Sequence, residues 1–134
     1  SILGGKIGSP FMSSYCASKH AVEAFSESLR RELKPFGIKV IIVAPGSIST
    51  PIWQTVKKQK EQDKFGKTKY SVPFKRILNS LEQFDQNSLP MEKLANVIIK
   101  SIETKNPKIR YNPTNDYSQK IWPYIPKRIM DNFF

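Results

Sequence analysis

A tyrosine and a lysine four positions apart, Tyr15 and Lys19, have the residue types and spacing best suited to moving a proton. On a helix, positions i and i+4 are neighbours on one face. Free tyrosine is a poor base at neutral pH, but an ammonium group a few ångströms away stabilises the phenolate. The pair therefore predicts a general acid/base for an alcohol oxygen. A tyrosine packed on a lysine stem is the structural alternative, so the flanking segments must decide.

The segment that carries this pair has the pattern of a long helix over residues 13–34. Apolar residues recur at near-helical spacing, and Pro35 and Gly37 follow as stop signals. Ser13 or Ser14 is the predicted N-cap. The helix should hold both side chains on one surface.

A short apolar run over residues 38–44 follows the helix and predicts a parallel strand that is covered on both faces. The Pro45-Gly46 pair ends that strand at its carboxyl end, which is where open α/β sheets bind ligands. Helix, tight turn and buried strand together form the second half of a βαβ unit. The predicted fold class is α/β.

The rest of the chain is less regular. Residues 51–88 are polar and lysine-rich and predict short helices in a mobile segment, whereas residues 90–104 predict another amphipathic helix. Residues 108–112 could form an edge strand. In the aromatic tail at 116–134, prolines interrupt any helix.

Composition restricts the functional classes. The chain has 134 residues, one cysteine (Cys16) and a net charge of +11. One cysteine excludes an intrachain disulfide and a cysteine-based zinc cluster, and no apolar run is long enough to span a bilayer. We therefore expect a cytoplasmic protein without a metal, with peripheral membrane association left open. The lysines at 57–69 form either a solvated face or a basic rim for an anionic ligand, and nucleic acid is not an expected partner.

Four features fall in a consistent order along the first 53 residues. They are Ser1 in a glycine-containing loop, Tyr15-Cys-Ala-Ser-Lys19, the helix continuing to Leu33, and Pro45-Gly-Ser-Ile-Ser-Thr50 after the strand. Together they closely resemble the short-chain dehydrogenase/reductase family in its classical subgroup, and residues 90–104 do so more loosely. The resemblance implies a Rossmann-type doubly wound parallel sheet, NAD or NADP as coenzyme, and interconversion of a secondary alcohol and a carbonyl.

The resemblance also assigns roles to individual residues. Tyr15 matches the general acid/base, and Lys19 matches the lysine that tunes it and binds the nicotinamide ribose. Ser1 matches the serine that hydrogen-bonds the substrate oxygen, although it lies fourteen rather than thirteen positions before Tyr15, and Ser9, Ser13 and Ser14 compete for this role. The expected coenzyme contacts after the strand are Pro45, Gly46, Ile48 and Thr50.

Two apolar clusters could bind a lipophilic substrate or pack against other structure. The first, in the segment expected to cover the substrate, is Ile52, Trp53, Phe65, Tyr70, Val72 and Phe74. The second, for which subunit packing, a substrate lid and a membrane-surface contact all remain open, is Trp122, Tyr124, Ile125, Ile129, Met130, Phe133 and Phe134.

The glycine-rich turn with which this family binds the coenzyme pyrophosphate is absent from these 134 residues, as is the family's catalytic Asn. We therefore expect the chain to be the C-terminal part of one NAD(P)-binding domain about twice as long, inactive by itself, and a homodimer or homotetramer when full-length. The alternative is a non-catalytic binding or assembly module on the same fold. Intact Tyr15 and Lys19 favour the enzyme.

Overall fold

The computed structural model describes residues 3–51, 54, 55, 58 and 66–131, without the side chains at positions 84 and 85. Its principal elements, in chain order, are helix α1 (Ser13–Leu33), a 3₁₀ turn (Lys34–Phe36), strand β1 (Ile42–Val43), helix α2 (Ser71–Gln86), helix α3 (Met91–Glu103), strand β2 (Arg110–Tyr111), helix α4 (Ser118–Ile121), a 3₁₀ turn (Trp122–Tyr124) and helix α5 (Lys127–Met130).

Helix α1 confirms the helix predicted over residues 13–34, but the residue at its N-cap differs from the prediction. Met12 occupies the N-cap position with no capping hydrogen bond from its side chain, and Ser13 is already helical. The predicted Ser13 or Ser14 cap is therefore wrong. At the other end, Gly37 adopts φ 72° and donates its backbone N–H to the Lys34 carbonyl, a left-handed turn that glycine makes without steric cost.

Strands β1 and β2 pair in parallel, with Ile42 opposite Arg110 and Val43 opposite Tyr111. The expected edge strand at 108–112 is thus confirmed. The expectation that residues 38–44 are covered on both faces is wrong: Ala44 is buried, whereas residues 40–43 are half-buried and residues 38 and 39 are exposed. The described sheet has two strands, so β1 has one neighbour and its faces are only partly covered.

The chain beyond β1 continues to pair with other backbone segments. Gly46 donates its N–H to the Pro113 carbonyl, which extends the alignment with β2. Ser49 donates to the Leu89 carbonyl, and Leu89 donates to the Ser47 carbonyl, so the segment just before α3 lies beside residues 47–49. These bonds fix the 45–50 segment from both sides.

The segment predicted to form only short helices contains the sixteen-residue helix α2. It buries Ile77 and Leu78, which are the seventh and eighth of its sixteen residues. Helix α3 matches the prediction for residues 90–104, with Pro90 at its N-cap and Thr104 at its C-cap. In the tail, Pro123 lies in the 3₁₀ turn and Pro126 caps α5, as expected from their inability to continue a helix.

The described core is small, and several large apolar side chains remain at the surface. The buried apolar residues are Cys16, Ala44, Ile77, Leu78, Leu89 and Met130. By contrast, Val22 and Phe25 on α1 and Ile99 and Ile102 on α3 are exposed. The described part has parallel strands joined through helices, as in an α/β fold, while the doubly wound sheet remains a prediction.

Candidate active site

Tyr15 and Lys19 lie on the same face of α1, as the spacing predicts. The Lys19 ammonium nitrogen is 5.5 Å from the centre of the Tyr15 ring, within the range of a cation–π interaction. Tyr15 is 42% exposed, so solvent or a ligand can reach the ring. The arrangement keeps a positive charge beside the Tyr15 ring.

The first turns of α1 are also held by contacts with its own backbone. The Ser18 hydroxyl donates to the Tyr15 carbonyl at 2.7 Å, and the His20 ring nitrogen Nδ1 lies 2.8 Å from the Cys16 carbonyl oxygen. Cys16 is buried, and its sulfur accepts the Ser9 N–H at 3.5 Å. Cys16 and His20 therefore make structural contacts in the first turns of α1.

Glu23 lies on the inward face of α1 and connects this helix to the sheet. Its carboxylate is buried and receives both terminal guanidinium nitrogens of Arg110 on β2, with the Nη2–Oε1 distance 3.0 Å. Arg110 also donates from Nε to the Asn112 side-chain oxygen at 2.8 Å. The Lys6 ammonium is 4.0 Å from the same carboxylate. This paired charge fixes α1, and with it Tyr15 and Lys19, against β2.

The segment from Pro45 to Thr50 lies at the carboxyl end of β1, and the family resemblance implies coenzyme contacts for it. Gly46 cannot carry a side chain there: a Cβ would lie 2.4 Å from Gln119 Oε1 and 2.6 Å from Thr114 Oγ1. The glycine thus permits close approach of the C-terminal segment. Its N–H is already bonded to Pro113, so its role in this structure is packing as well as turn formation.

The predicted site residues are brought together only in part. Tyr15 and Lys19 form one group on α1, while Pro45, Gly46, Ile48 and Thr50 form a second group after β1. The hydrogen bonds described above join the second group to residues 89 and 113 rather than to the first. Ser1 lies outside the described residues, so its role stays a prediction.

A cavity of about 260 Å³ has Met12, one helical turn before Tyr15, among its lining residues, whereas Tyr15 and Lys19 do not line it. Side chains from the N-terminal loop, α2 and the C-terminal segment line it; they are Leu3, Ile7, Ser9, Met12, Ile77, Ser80, Leu81, Gln83, Asn87, Asp116, Ser118, Trp122 and Met130. The lining combines aliphatic side chains with a smaller group of amides, hydroxyls and one carboxylate. Such a lining suits a mainly apolar ligand with a few polar groups.

For the apolar cluster at residues 52–74, the sequence leaves a substrate pocket and local packing as alternatives. Ile52, Trp53 and Phe65 lie outside the described residues. Tyr70 and Phe74 instead pack edge-on against Phe11, with ring centres 6.1 and 5.4 Å away, and Val72 is exposed. The cavity uses the next turn of α2, Ile77 and Leu81. The four-residue spacing of Ile77 and Leu81 is the sequence signal that could have identified this helix face.

The C-terminal cluster contributes Trp122 and Met130 to the cavity, whereas Tyr124 and Ile129 are exposed. Phe133 and Phe134 lie outside the described residues. Of the lysine-rich stretch at 57–69, the described lysines Lys58, Lys67 and Lys69 are exposed. Among the residues that the structure describes, there is no cluster of metal-binding side chains and no helix both long and apolar enough to cross a bilayer.

Comparison with known proteins places this geometry in context. The family described as short chain dehydrogenase matches residues 1–61. An NADPH-dependent 3-dehydrocapnine reductase from Ornithobacterium rhinotracheale is 32% identical over 132 residues, which cover 97% of this chain and 46% of that protein. The chain thus spans about half the length of this relative.

Two further relatives have different named substrates. A 3-ketodihydrosphingosine reductase from Bacteroides thetaiotaomicron is 36% identical over 111 residues, covering 82% of this chain and 40% of that protein. Human retinol dehydrogenase 5 is 31% identical over 135 residues, covering 87% and 41%. In each case the similarity extends beyond residue 61 into the region that lines the cavity.

Proposed function

This chain belongs to the short-chain dehydrogenase/reductase family, and on that premise we propose that the full-length protein is an NAD(P)-dependent oxidoreductase that interconverts a secondary alcohol and a carbonyl on a lipophilic substrate. The observation that carries the proposal is the pairing of Tyr15 and Lys19 on α1, the helix whose N-cap residue, Met12, lines a mainly apolar cavity.

The proposed chemistry divides the reaction between coenzyme and protein. When bound, the coenzyme supplies the hydride to a carbonyl carbon or accepts it from an alcohol carbon. In the reductive direction the Tyr15 hydroxyl gives its proton to the substrate oxygen, which becomes the alcohol hydroxyl. Lys19 stabilises the tyrosinate left behind. Ser1, by its position in the family pattern, would donate a hydrogen bond to the same oxygen.

The donor set of this chain fits one end of the coenzyme. Lys19 and Tyr15 offer an ammonium and a hydroxyl on one helix face, suited to ribose hydroxyls. Thr50 offers a hydroxyl at the carboxyl end of β1. The N–H groups of Gly46 and Ser49 are bonded to backbone carbonyls, so they are not the donors for the pyrophosphate. We assign Lys19, Tyr15 and the 45–50 segment to the nicotinamide end.

A lipophilic substrate is supported by the cavity and by the relatives together. Ile77, Leu81 and Met130 present aliphatic surface to the cavity, and Trp122 adds an aromatic ring. Two relatives are named for 3-ketodihydrosphingosine and for retinol, and both compounds carry a long apolar chain. We propose that the chain of the substrate enters this cavity while its oxygen lies at Tyr15.

The outer surface supports two further parts of the proposal. Val22 and Phe25 are exposed on α1, and an apolar helix face of this kind suits packing between two copies in a homodimer or homotetramer. We place the enzyme in the cytoplasm with peripheral membrane contact, where a lipophilic substrate would be met. Size-exclusion chromatography with light scattering tests the oligomeric state, and a monomeric mass would contradict it.

The substrate class is tested by filling the cavity. In the full-length protein, Leu81→Trp should raise KM for long-chain ketones at least ten-fold while leaving short-chain ketones nearly unaffected, because the indole would occupy space that only the longer chain needs. Asn79→Trp on the exposed side of α2 is the matched control. Equal effects of Leu81→Trp on long and short substrates, or no turnover of any lipophilic ketone or alcohol with NAD(P)(H), would contradict the proposal.

A further inference from the structure

The outward surface of residues 117–130, here named the C-terminal patch, combines exposed apolar side chains with cations. We propose that the C-terminal patch docks on an anionic lipid bilayer. This goes beyond the reaction itself, although the role we give the docking, access of a lipophilic substrate to the cavity, rests on the proposed function.

The apolar part of the patch is unusually exposed for such large side chains. Tyr117 is 71% exposed, Ile121 64%, Tyr124 86% and Ile129 50%. Tyr117 is the N-cap residue of α4, and the other three lie on α4, the following 3₁₀ turn and α5. Tyrosine, with an apolar ring and a polar tip, is favoured at the headgroup level of a membrane.

Charge favours an anionic surface as the occupant. Lys120, Lys127 and Arg128 are exposed on the same segment, and the Lys120 ammonium lies 4.6 Å from the centre of the Tyr117 ring. The opposing charges nearby are Asp131 and Asp116. Asp116 accepts hydrogen bonds from Ser118 and Gln119 and keeps its negative charge. Three cations against two carboxylates leave residues 116–131 with a net charge of +1, in a chain whose net charge is +11.

The inward side of the same segment connects the patch to the cavity. Gln119 and Met130 are buried, and Met130, Trp122 and Ser118 line the cavity. A few residues thus separate the surface that would meet lipid from the space that would hold the substrate chain. A substrate dissolved in a bilayer could enter through this segment without crossing water, which is costly for a long apolar chain.

Vesicle co-sedimentation with the full-length protein tests the docking directly. We expect binding to phosphatidylcholine vesicles containing 30% phosphatidylserine, weak binding to pure phosphatidylcholine, and weakening as salt is raised. The double variant Lys127→Gln/Arg128→Gln should bind about thirty-fold more weakly, from roughly a factor of five per basic residue near an anionic surface. Ile121→Ser/Tyr124→Ser should lose about ten-fold or more, because less apolar surface enters the interface.

Matched variants elsewhere separate this surface from a general effect of charge or hydrophobicity. Lys93→Gln/Lys100→Gln removes two exposed lysines from α3, and Phe36→Ser/Ile102→Ser removes two exposed apolar side chains. Both should bind vesicles as the unmodified protein does. Equal losses in the control and patch variants, or unchanged binding in the patch variants, would overturn the proposal.

A measurement without substitutions guards against variants that fold poorly. Amide hydrogen exchange should slow within residues 117–130 when anionic vesicles are added. Absence of protection there would also overturn the docking proposal. Binding of the patch to a protein, with no binding to vesicles, would overturn it as well. None of these measurements depends on turnover. A failure of the docking would therefore not contradict the proposed reaction, and a failure of the reaction would not contradict the docking.

Discussion

Glu23 and Arg110, which are 87 positions apart, form a two-point ion pair, with the carboxylate buried and the guanidinium half-buried, that joins the helix carrying Tyr15 and Lys19 to the second strand of the sheet. Glu23 lies one helical turn beyond Lys19. The pair therefore sets the position of the acid/base residues relative to the sheet, although neither member faces the cavity.

Removing one member of this pair should destabilise the protein. Arg110→Met leaves the Glu23 carboxylate buried, with Lys6, at 4.0 Å, as its remaining ion-pair partner among the residues that the structure describes. The expected loss is about 3 kcal/mol in the free energy of unfolding, since an uncompensated buried charge is costly. Urea denaturation of the full-length protein measures this loss.

The exposed pair between Glu27 and Arg31 on the same helix is the matched control. Its atoms are 3.3 Å apart, but both side chains are solvated, so Arg31→Met should cost less than about 0.5 kcal/mol. Replacing both members of the buried pair, as Glu23→Leu/Arg110→Met, should recover most of the stability. Equal effects of Arg110→Met and Arg31→Met would contradict the structural role given to Glu23.

Gly46 should not tolerate even a methyl group. In Gly46→Ala the Cβ would meet Gln119 Oε1 and Thr114 Oγ1 well inside contact distance, and Gln119 is only 2% exposed and has little room to move. We expect a loss of about 1–3 kcal/mol, as for other overpacked sites. Gly8→Ala, whose Cβ would meet nothing within 4 Å, should be nearly neutral in the same thermal unfolding experiment. A neutral Gly46→Ala would contradict the close approach.

The local pattern of the sequence was sufficient for the elements with strong periodicity. Helices α1 and α3 and strand β2 lie where apolar spacing and stop signals predict them. Each of these depends on residues near one another in the chain. The pairing of Tyr15 with Lys19 follows from the same cause, because helical geometry alone brings positions i and i+4 together.

Features set by distant contacts could not be predicted in this way. Glu23 reads as an ordinary charged residue in the sequence, and only pairing with Arg110 makes its burial favourable. The cavity joins Met12, Leu81 and Trp122 from three distant segments. Helix α2 was missed because lysines and polar residues around it weakened the apolar pattern. Gly46 was expected as a coenzyme contact, and its close approach to Gln119 and Thr114 could not be read from the sequence.

The 134-residue chain alone should not bind the coenzyme. Its six glycines lack the spacing of a pyrophosphate-binding turn, and the N–H groups of Gly46 and Ser49 are bonded within the protein. Titration of NADPH and NADH, followed by nicotinamide fluorescence, should show no saturable change below millimolar coenzyme. The full-length protein is the positive control. Micromolar binding by the chain alone would contradict the assignment of this part to the nicotinamide end only.

We propose that Tyr15 exchanges the proton with the substrate oxygen. Replacement of Tyr15 by phenylalanine in the full-length protein tests this role most directly. Tyr15→Phe keeps the ring beside Lys19 but removes the hydroxyl, so kcat should fall by a factor on the order of 10³ while coenzyme affinity changes little. Tyr111→Phe, which removes a hydroxyl that accepts the Lys108 N–H, should retain normal turnover. Near-normal kcat in Tyr15→Phe would contradict the account.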